Sequence, residues 1–438
     1  MGEPTLTSIG TVLKQTLFPG VIPVIEAEQF ITNELTKLGQ TEQVGYEFVK
    51  KYRTGFSEGT GMFAWNGALP SAGAAAYKSM TGTTKNIAGT IKIYKKLWDY
   101  CKGKGEQAYV DLVSEELETL QMALKCEKER MNYGDGGATP LCCVASVTVS
   151  SESDTWVTIT VDDGGGAALR GDTVYLRDGM PVDILSSVHA TVDASMEGVN
   201  VLNVTGDTTF TINCASNTAA DTLAGNIADG QTIFHADGHD AEFYGLLSWF
   251  GSVTNTVFGL DRSLSANSFF RPYRRRIATT GLTEDDAKTG TPKAWSTLTV
   301  HQVLNHLVKS RKVDKNSLYG FAGDGVAEYL IRLRQNEGGY HEEKTTIDGW
   351  PFSVVMFEDR PILSPSYMLD NTMFWVPMNR MGKFENTTLD FEDMDGNMWK
   401  WVDGYHAYTA YCSESFELGC ERPDQGAAIF DMKSAYDS

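Results

Sequence analysis

Thr90-Ile91-Lys92-Ile93-Tyr94-Lys95-Lys96-Leu97-Trp98 alternates apolar with polar side chains, the two-residue period of a strand that buries one face. It leads into a longer stretch of different period. From Lys104 to about Met131 the apolar positions Val113, Leu117, Leu120, Leu124 and Met131 recur at mostly three- and four-residue steps, with Glu, Asp and Lys on most other faces. This predicts one apolar stripe on a solvated helix roughly 40 Å long, well above the average and therefore a spine for the fold. Tyr133-Gly134-Asp135-Gly136-Gly137 closes it, because glycine supplies the left-handed backbone of a helix exit.

Upstream, the sequence before the strand is rich in Gly, Ala, Ser and Thr, with Gly59, Gly61, Gly67, Gly73 and Gly82, yet it carries Phe63 and Trp65. Such a composition makes a poor core and suits a hairpin loop that projects from the body and buries its aromatics elsewhere. Residues 1–56 read as an arm broken early by Pro19, Gly20 and Pro23, with one short amphipathic helix over Ile25 to Leu38.

Downstream, the segment from Leu141 to Asp240 sets Arg170 and Arg177 against fourteen acids. Strand-like runs at Trp156–Val161, Asp172–Leu176, Val199–Val204, Thr209–Ile212 and Gln231–Phe234 alternate with Asp-Gly-type turns, the pattern of a small all-β barrel or sandwich. Beyond it, Val300 to Val313 and Val326 to Arg334 carry helical stripes (Val303, Leu304, Leu307, Val308; Tyr329, Leu330, Leu333). Ile347 to Val355 reads as a turn between two strands, and the tail from Met373 alternates again, with Asp395-Gly396 as a hairpin turn. That tail is expected to rejoin the domain of the spine helix, since nearby elements alone cannot cover its apolar faces.

At 438 residues the chain exceeds one ordinary core, and its 42% apolar and 11% aromatic content is that of a folded protein. No apolar run approaches a membrane span and no signal-peptide pattern opens the chain, so synthesis in the cytosol and no membrane partner are expected. The seven cysteines form no CxxC pair and no Cys/His ligand spacing, which favours buried thiols over a zinc site. A net charge of −20 argues against general binding of polyanions, but the charge is uneven. Seven lysines (Lys78, Lys85, Lys92, Lys95, Lys96, Lys102, Lys104) oppose Asp99 alone, whereas from Lys383 onward twelve acids oppose four bases. Two readings stand: two solvated faces, or a basic arm of one subunit lying on an acidic surface of the next.

No catalytic arrangement emerges. Gly103-Lys104-Gly105 lacks the spacing of a phosphate loop, Asp393, Asp395 and Gly396 lack the rest of a calcium loop, and no serine or cysteine sits in a nucleophile motif. The histidines are scattered. Arg271, Arg274, Arg275 and Arg276 form one strong basic cluster, with Tyr273 as its only interleaved aromatic; it reads as an interface loop or a nucleic-acid contact. A non-enzymatic protein without cofactor or metal is expected.

The order of these elements resembles the major capsid protein of a tailed bacteriophage, the family with the Hong Kong 97-type shell fold. The resemblance rests on the glycine-rich hairpin, the strand feeding a long helix that ends in Tyr133-Gly134-Asp135-Gly136, and the Phe243-Tyr244-Gly245-Leu246-Leu247 run. Asp261-Arg262-Ser263, Gly349-Trp350-Pro351 and the strand-rich tail follow in the same order. It implies an α+β fold with an N-terminal arm at 1–56, an E-loop hairpin at 57–98, a P-domain spine helix at 99–141, an inserted β-barrel or sandwich module at 142–240, an A-domain at 241–372, and P-domain return strands with the tail at 373–438. It further implies hexamers and pentamers of an icosahedral shell enclosing double-stranded DNA, assembled in the host cytoplasm. Partners would be a separate scaffolding protein, a portal and a decoration protein. The inter-subunit contacts expected are Phe63, Trp65, Lys92, Lys95, Lys96, Arg271, Arg274, Arg275 and Arg276. Two other functions share parts of the pattern: an encapsulin-type compartment shell and a secreted β-rich adhesin or binding protein, the latter disfavoured by the missing signal peptide.

Overall fold

The computed structural model describes residues 31, 42–44, 47–57, 59–62, 71–96, 106–149, 155–165, 167–186, 196–278, 281–283, 291–336, 342–347, 350–392, 398–402 and 404–436. Its spine is the helix Glu106–Met131, 26 residues long. Leu124 and Met131 are buried and Leu117 and Leu120 half-buried, along the predicted stripe. The rod is not solvated throughout, as the charge pattern had suggested. Over its last turn Glu127, Lys128, Glu129 and Arg130 are all buried, because other segments close over that end.

The strand that precedes the helix, Lys85–Tyr94, buries Ile91 and Ile93. It starts earlier than the alternation suggests and stops before Lys95 and Lys96, which turn helical; Leu97 and Trp98 lie outside the described residues. It pairs antiparallel with the tail strand Ala407–Cys420, in register from Ala407↔Tyr94 to Phe416↔Lys85. Met381–Phe391 and the short Lys400–Trp401 complete this sheet. Gly89 of the strand lies against Leu120 and Leu124, so the tail and the helix clasp the strand between them.

A second, eight-stranded sheet runs in the order Gly281–Thr283, Tyr273–Ala278, Ala427–Phe430, Met373–Pro377, Leu318–Ala322, Arg360–Leu363, Trp350–Phe357, Glu342–Ile347. The tail therefore divides between the two sheets and does not all return to the spine. The reason is visible in Met373–Pro377, which is buried on both faces. Met373, Trp375, Ala427 and Ile429 pack with Val300, Val303, Leu304 and Leu307 of helix Thr297–Ser310 and with Val326 and Leu330 of helix Asp324–Asn336. Phe374, Val376, Ala428 and Phe430 join the other, larger core. Only a central position offers two apolar surfaces at once. Arg274, Arg275 and Arg276 lie in the strand Tyr273–Ala278 and not in a loop.

Residues 142–235 form a closed barrel in the strand order Thr232–His235, Cys142–Thr148, Trp156–Asp162, Thr209–Asn213, Val199–Gly206, Pro181–Leu185. Three differences from the sequence reading stand out. Asp172–Leu176 is a turn, since Asp172 Oδ1 accepts from the Val174 amide and Thr173 O from the Leu176 amide. Cys142–Thr148 and Pro181–Leu185 are additional strands. The helix Asn217–Asn226, capped by Ser216 Oγ accepting from the Ala219 amide at 3.2 Å, means the segment is not all-β.

The stretch read as an arm contributes a strand. Glu47–Arg53 pairs with Tyr77–Thr83 from Glu47↔Thr83 to Arg53↔Tyr77, which places the hairpin's first strand before residue 57. Phe48 and Tyr52 anchor it in the core. Of the expected helix over Ile25 to Leu38 only Ile31 is described, buried and helical; the Asp395-Gly396 turn lies outside the described residues.

A methyl group at Gly82 would run into the rings of Phe48 and Phe258. Gly82→Ala is expected to cost about 1–3 kcal/mol of stability through overpacking. Urea denaturation followed by tryptophan fluorescence checks this; an unchanged midpoint would show that the hairpin base is not tightly seated.

Candidate assembly surfaces

The hairpin has a fixed base and an open end. At the base, Phe48 stacks on Phe384 with centroids 3.9 Å apart and meets Phe258 edge-on at 5.1 Å. Tyr52 packs on Phe269 and Phe270, Lys50 pairs with Glu421 at 2.7 Å, and Lys78 donates to Asn267 Oδ1. The Thr81 amide donates to Phe258 O at 3.1 Å. Beyond Arg53 the contacts become local: the Thr54 and Gly55 amides donate to Ala76 O, and Ser57 Oγ to Gly73 O. There Phe56 is 76%, Met62 fully and Tyr77 68% exposed. Phe63 and Trp65 lie outside the described residues.

The predicted lysines gather beside the tail of their own chain. Lys92 Nζ sits 4.5 Å from the Tyr405 ring centroid and 5.3 Å from that of Tyr94, and Lys95 Nζ lies 5.8 Å from Trp401. The Lys95 amide donates to His406 O at 2.7 Å, and Lys95 and Lys96 side chains are exposed. One of the two sequence readings set these lysines against an acidic surface of another subunit; within one chain Lys92 and Lys95 already meet tail aromatics.

The arginine cluster is largely occupied inside the chain. Arg271 donates to Arg262 O and Ser263 O. Arg274 is buried over Phe430 at 4.4 Å, Arg275 lies over Tyr273 at 4.1 Å and donates from Nε to its hydroxyl, and Arg276 is 4.0 Å from Asp431. Alternation along the strand sends successive guanidiniums to opposite faces, so they do not form one patch.

What the sequence reading missed is the charge network at the helix exit. Arg130 Nη2 donates to Glu242 Oε1 at 2.5 Å and its Nε to Glu127 Oε2 at 2.9 Å, while Arg177 of the barrel segment pairs with Glu127. Lys128 Nζ reaches Glu414 at 2.5 Å. Glu129 accepts from the Ile31 amide at 3.2 Å, from Tyr133 Oη at 3.0 Å and from Asn132 Nδ2 at 2.9 Å. Burial alone would pull the Arg130 guanidinium down, but Glu242 and Glu127 outweigh it and hold its pKa above the ordinary value. Two motifs 110 residues apart meet here: the Leu246 amide donates to Asn132 O at 2.7 Å, and a side chain at Gly245 would strike the carbonyls of Met131 and Asn132. Gly136 and Gly137, at φ +87° and +81°, supply the predicted left-handed exit. Among the described residues no three His, Cys, Asp or Glu side chains group to hold a metal, and no helix is long and apolar enough to cross a membrane.

Nearby, Glu417 Oε1 accepts from the Tyr244 amide at 2.6 Å, and burial pushes its carboxyl well above the usual carboxylate range. The folded chain therefore holds a proton that the unfolded chain releases above about pH 4.3, and stability declines as pH rises from there toward the folded value. Glu417→Gln removes this titration, so between about pH 4 and pH 8 its denaturation midpoint should fall less than the parent's; equal slopes would show that Glu417 is ionised in the folded chain. Arg130→Met leaves Glu127 and Glu242 buried without their shared cation and is expected to cost about 3–5 kcal/mol, measured in the same way.

No protein-family model and no curated protein matches the chain. Among solved structures, the cyanophage A-1(L) capsid asymmetric unit aligns over 95% of this chain and 96% of its own, with a TM-score of 0.53 and 11% identity. The holo-SrpI encapsulin complex from Synechococcus elongatus aligns over 97% and 96%, at TM-score 0.44 and 8% identity. The capsid of a native GTA particle aligns over 95% and 94%, at TM-score 0.47 and 8% identity. With the cyanophage capsid chain matched nearly end to end, this chain has the α+β shell fold of the Hong Kong 97 type that its sequence resembles.

Proposed function

We propose that the chain is the major capsid protein of a tailed bacteriophage, a structural protein that closes hexamers and pentamers into an icosahedral shell around double-stranded DNA. The observation that carries this reading is the hairpin. Its base is built into the core through Phe48, Tyr52 and Met80, yet its outer part leaves Phe56, Met62 and Tyr77 in solvent. An isolated subunit gains nothing from a rigidly mounted apolar end, whereas a neighbouring copy covers it, and association then stabilises the folded state by mass action. Phe63 and Trp65, close in sequence to Met62, are assigned to that contact. The net charge of −20 supports enclosure of DNA without adhesion to it. A scaffolding protein, a portal and a decoration protein complete the partner set of this reading, with assembly in the host cytoplasm.

Electron microscopy of the purified full chain tests the proposal. Uniform shells are expected, alone or with a scaffolding protein from the same source. Replacing residues 57–73 by a short glycine turn should abolish shells while the circular dichroism spectrum and melting transition persist. Monomers at every protein and salt concentration, with or without scaffold, would sink the reading. Shells that hold a protein cargo and never DNA would move the assignment to an encapsulin-type compartment.

A further inference from the structure

Building on the shell reading, we infer that the lysine and aromatic patch formed by Lys92, Lys95, Lys96, Trp401 and Tyr405 docks on the acidic barrel of a second copy of this chain, head to tail. Trp401 is 44% and Tyr405 59% exposed, with Lys92 and Lys95 set against their faces. Cation–π contacts of this kind gain strength when water is removed, so covering the patch strengthens it. Lys400, held by Glu392 at 3.8 Å, is already answered within the chain and plays no part.

The barrel offers the opposite surface. Asp162, Asp178, Glu197, Asp207, Asp221, Asp229, Asp237 and Asp240 are exposed on the segment, as are the apolar side chains Trp156 and Leu202. Its bases are spent internally: Arg170 pairs with Asp172 and Asp370, and Arg177 with Glu127. A nucleic acid fits the lysines less well than this surface does, because the field of the whole chain repels phosphate.

The patch and the point where the barrel rejoins the body lie at opposite ends of one strand. The patch sits at the Tyr94 end of Lys85–Tyr94, while at the other end Lys85 Nζ donates to Asp240 O at 3.3 Å, where the barrel segment rejoins the body. The ten residues of the strand span roughly 30 Å, which keeps the patch well away from Asp240 of the same molecule. Two different, complementary surfaces join copies heterologously, and such a contact closes into rings where its rotation allows.

Charge reversal and rescue test the inference. Asp162 and Asp207 lie at the ends of neighbouring strands, since the Val161 amide donates to Thr208 O at 2.9 Å; Asp221 lies midway along the barrel helix and Asp229 just after it. The variant Lys92→Glu, Lys95→Glu, Lys96→Glu is expected to lower shell yield at least tenfold while keeping the parent's circular dichroism and melting transition. Combining it with Asp162→Lys and Asp207→Lys, or with Asp221→Lys and Asp229→Lys, should restore at least half the yield, and the pair that does so identifies the contacting rim. Assembly of the lysine variant at parental yield, or failure of both rescues, overturns the contact. So does a result in which the parent binds single-stranded DNA and the lysine variant assembles normally without binding it, which assigns the patch to nucleic acid. Self-association by sedimentation separates this contact from the shell reading: if the parent forms no shells, yet its association falls tenfold in the lysine variant and returns on rescue, the contact stands and the shell does not.

Discussion

Four consecutive charged residues, Glu127 to Arg130, are withdrawn from water at the end of the spine helix, and the rest of the structure is arranged to answer them. Each reaches a different part of the chain. Glu127 meets Arg177 from the barrel segment, Lys128 meets Glu414 from the tail, Glu129 meets the Ile31 amide, and Arg130 meets Glu242 where the chain leaves the barrel. Taking an ion out of water costs several kcal/mol after relaxation, so such a cluster adds little net stability even when every partner arrives. Its effect is selective. A packing of barrel, tail and N-terminal segment that leaves one partner out strands a buried charge, and the alternative arrangement is rejected. The positions of four sequence-distant segments are thereby tied to one helical turn.

That tie extends to the hairpin, rigid at its base and open at its outer part. The hairpin base inherits the body's rigidity through Phe48 on Phe384 and Lys50 on Glu421. Among the described residues its outer part is held by local hydrogen bonds, the Thr54 and Gly55 amides to Ala76 O and Ser57 Oγ to Gly73 O, and Phe56 and Met62 stay wet. In the proposed shell a stiff mount carries the apolar end to a neighbour's surface, so the entropy of ordering the base is lost on folding and not again on association.

Much of this was legible from periodicity alone. The spine helix, its glycine exit, the two helices at Thr297–Ser310 and Asp324–Asn336, and the strand pair joined between Ile347 and Trp350 all follow from local pattern. The failures share a cause: the decisive partner was distant in sequence. Glu127, Lys128, Glu129 and Arg130 look like the polar face of a solvated rod, and nothing local announces Arg177, Glu242 or Glu414. Met373–Pro377 looks half-buried until two cores are found on its two sides. The arginines at 274–276 read as a patch only while their alternation in a strand is unknown. Conversely, Tyr133–Gly136 and Phe243–Leu247 were each too short to weigh alone, and their contact through Asn132 and Leu246 shows why they occur together.

The barrel's topology carries one more implication. Its first strand begins at Cys142 and its last ends at His235, and the two run side by side, with Ile233 paired to Cys142. Because these ends are already neighbours, the chain leaves the body and re-enters it through one narrow doorway. Several side chains tie the segment to its host: Arg177 pairs with Glu127, Arg170 pairs with Asp370 and donates to Met368 O at 2.6 Å, and the Tyr175 hydroxyl donates to Tyr367 O at 3.0 Å. A foreign domain grafted at this doorway has to answer Glu127, Asp370 and the carbonyls of Met368 and Tyr367 as well as join the two ends.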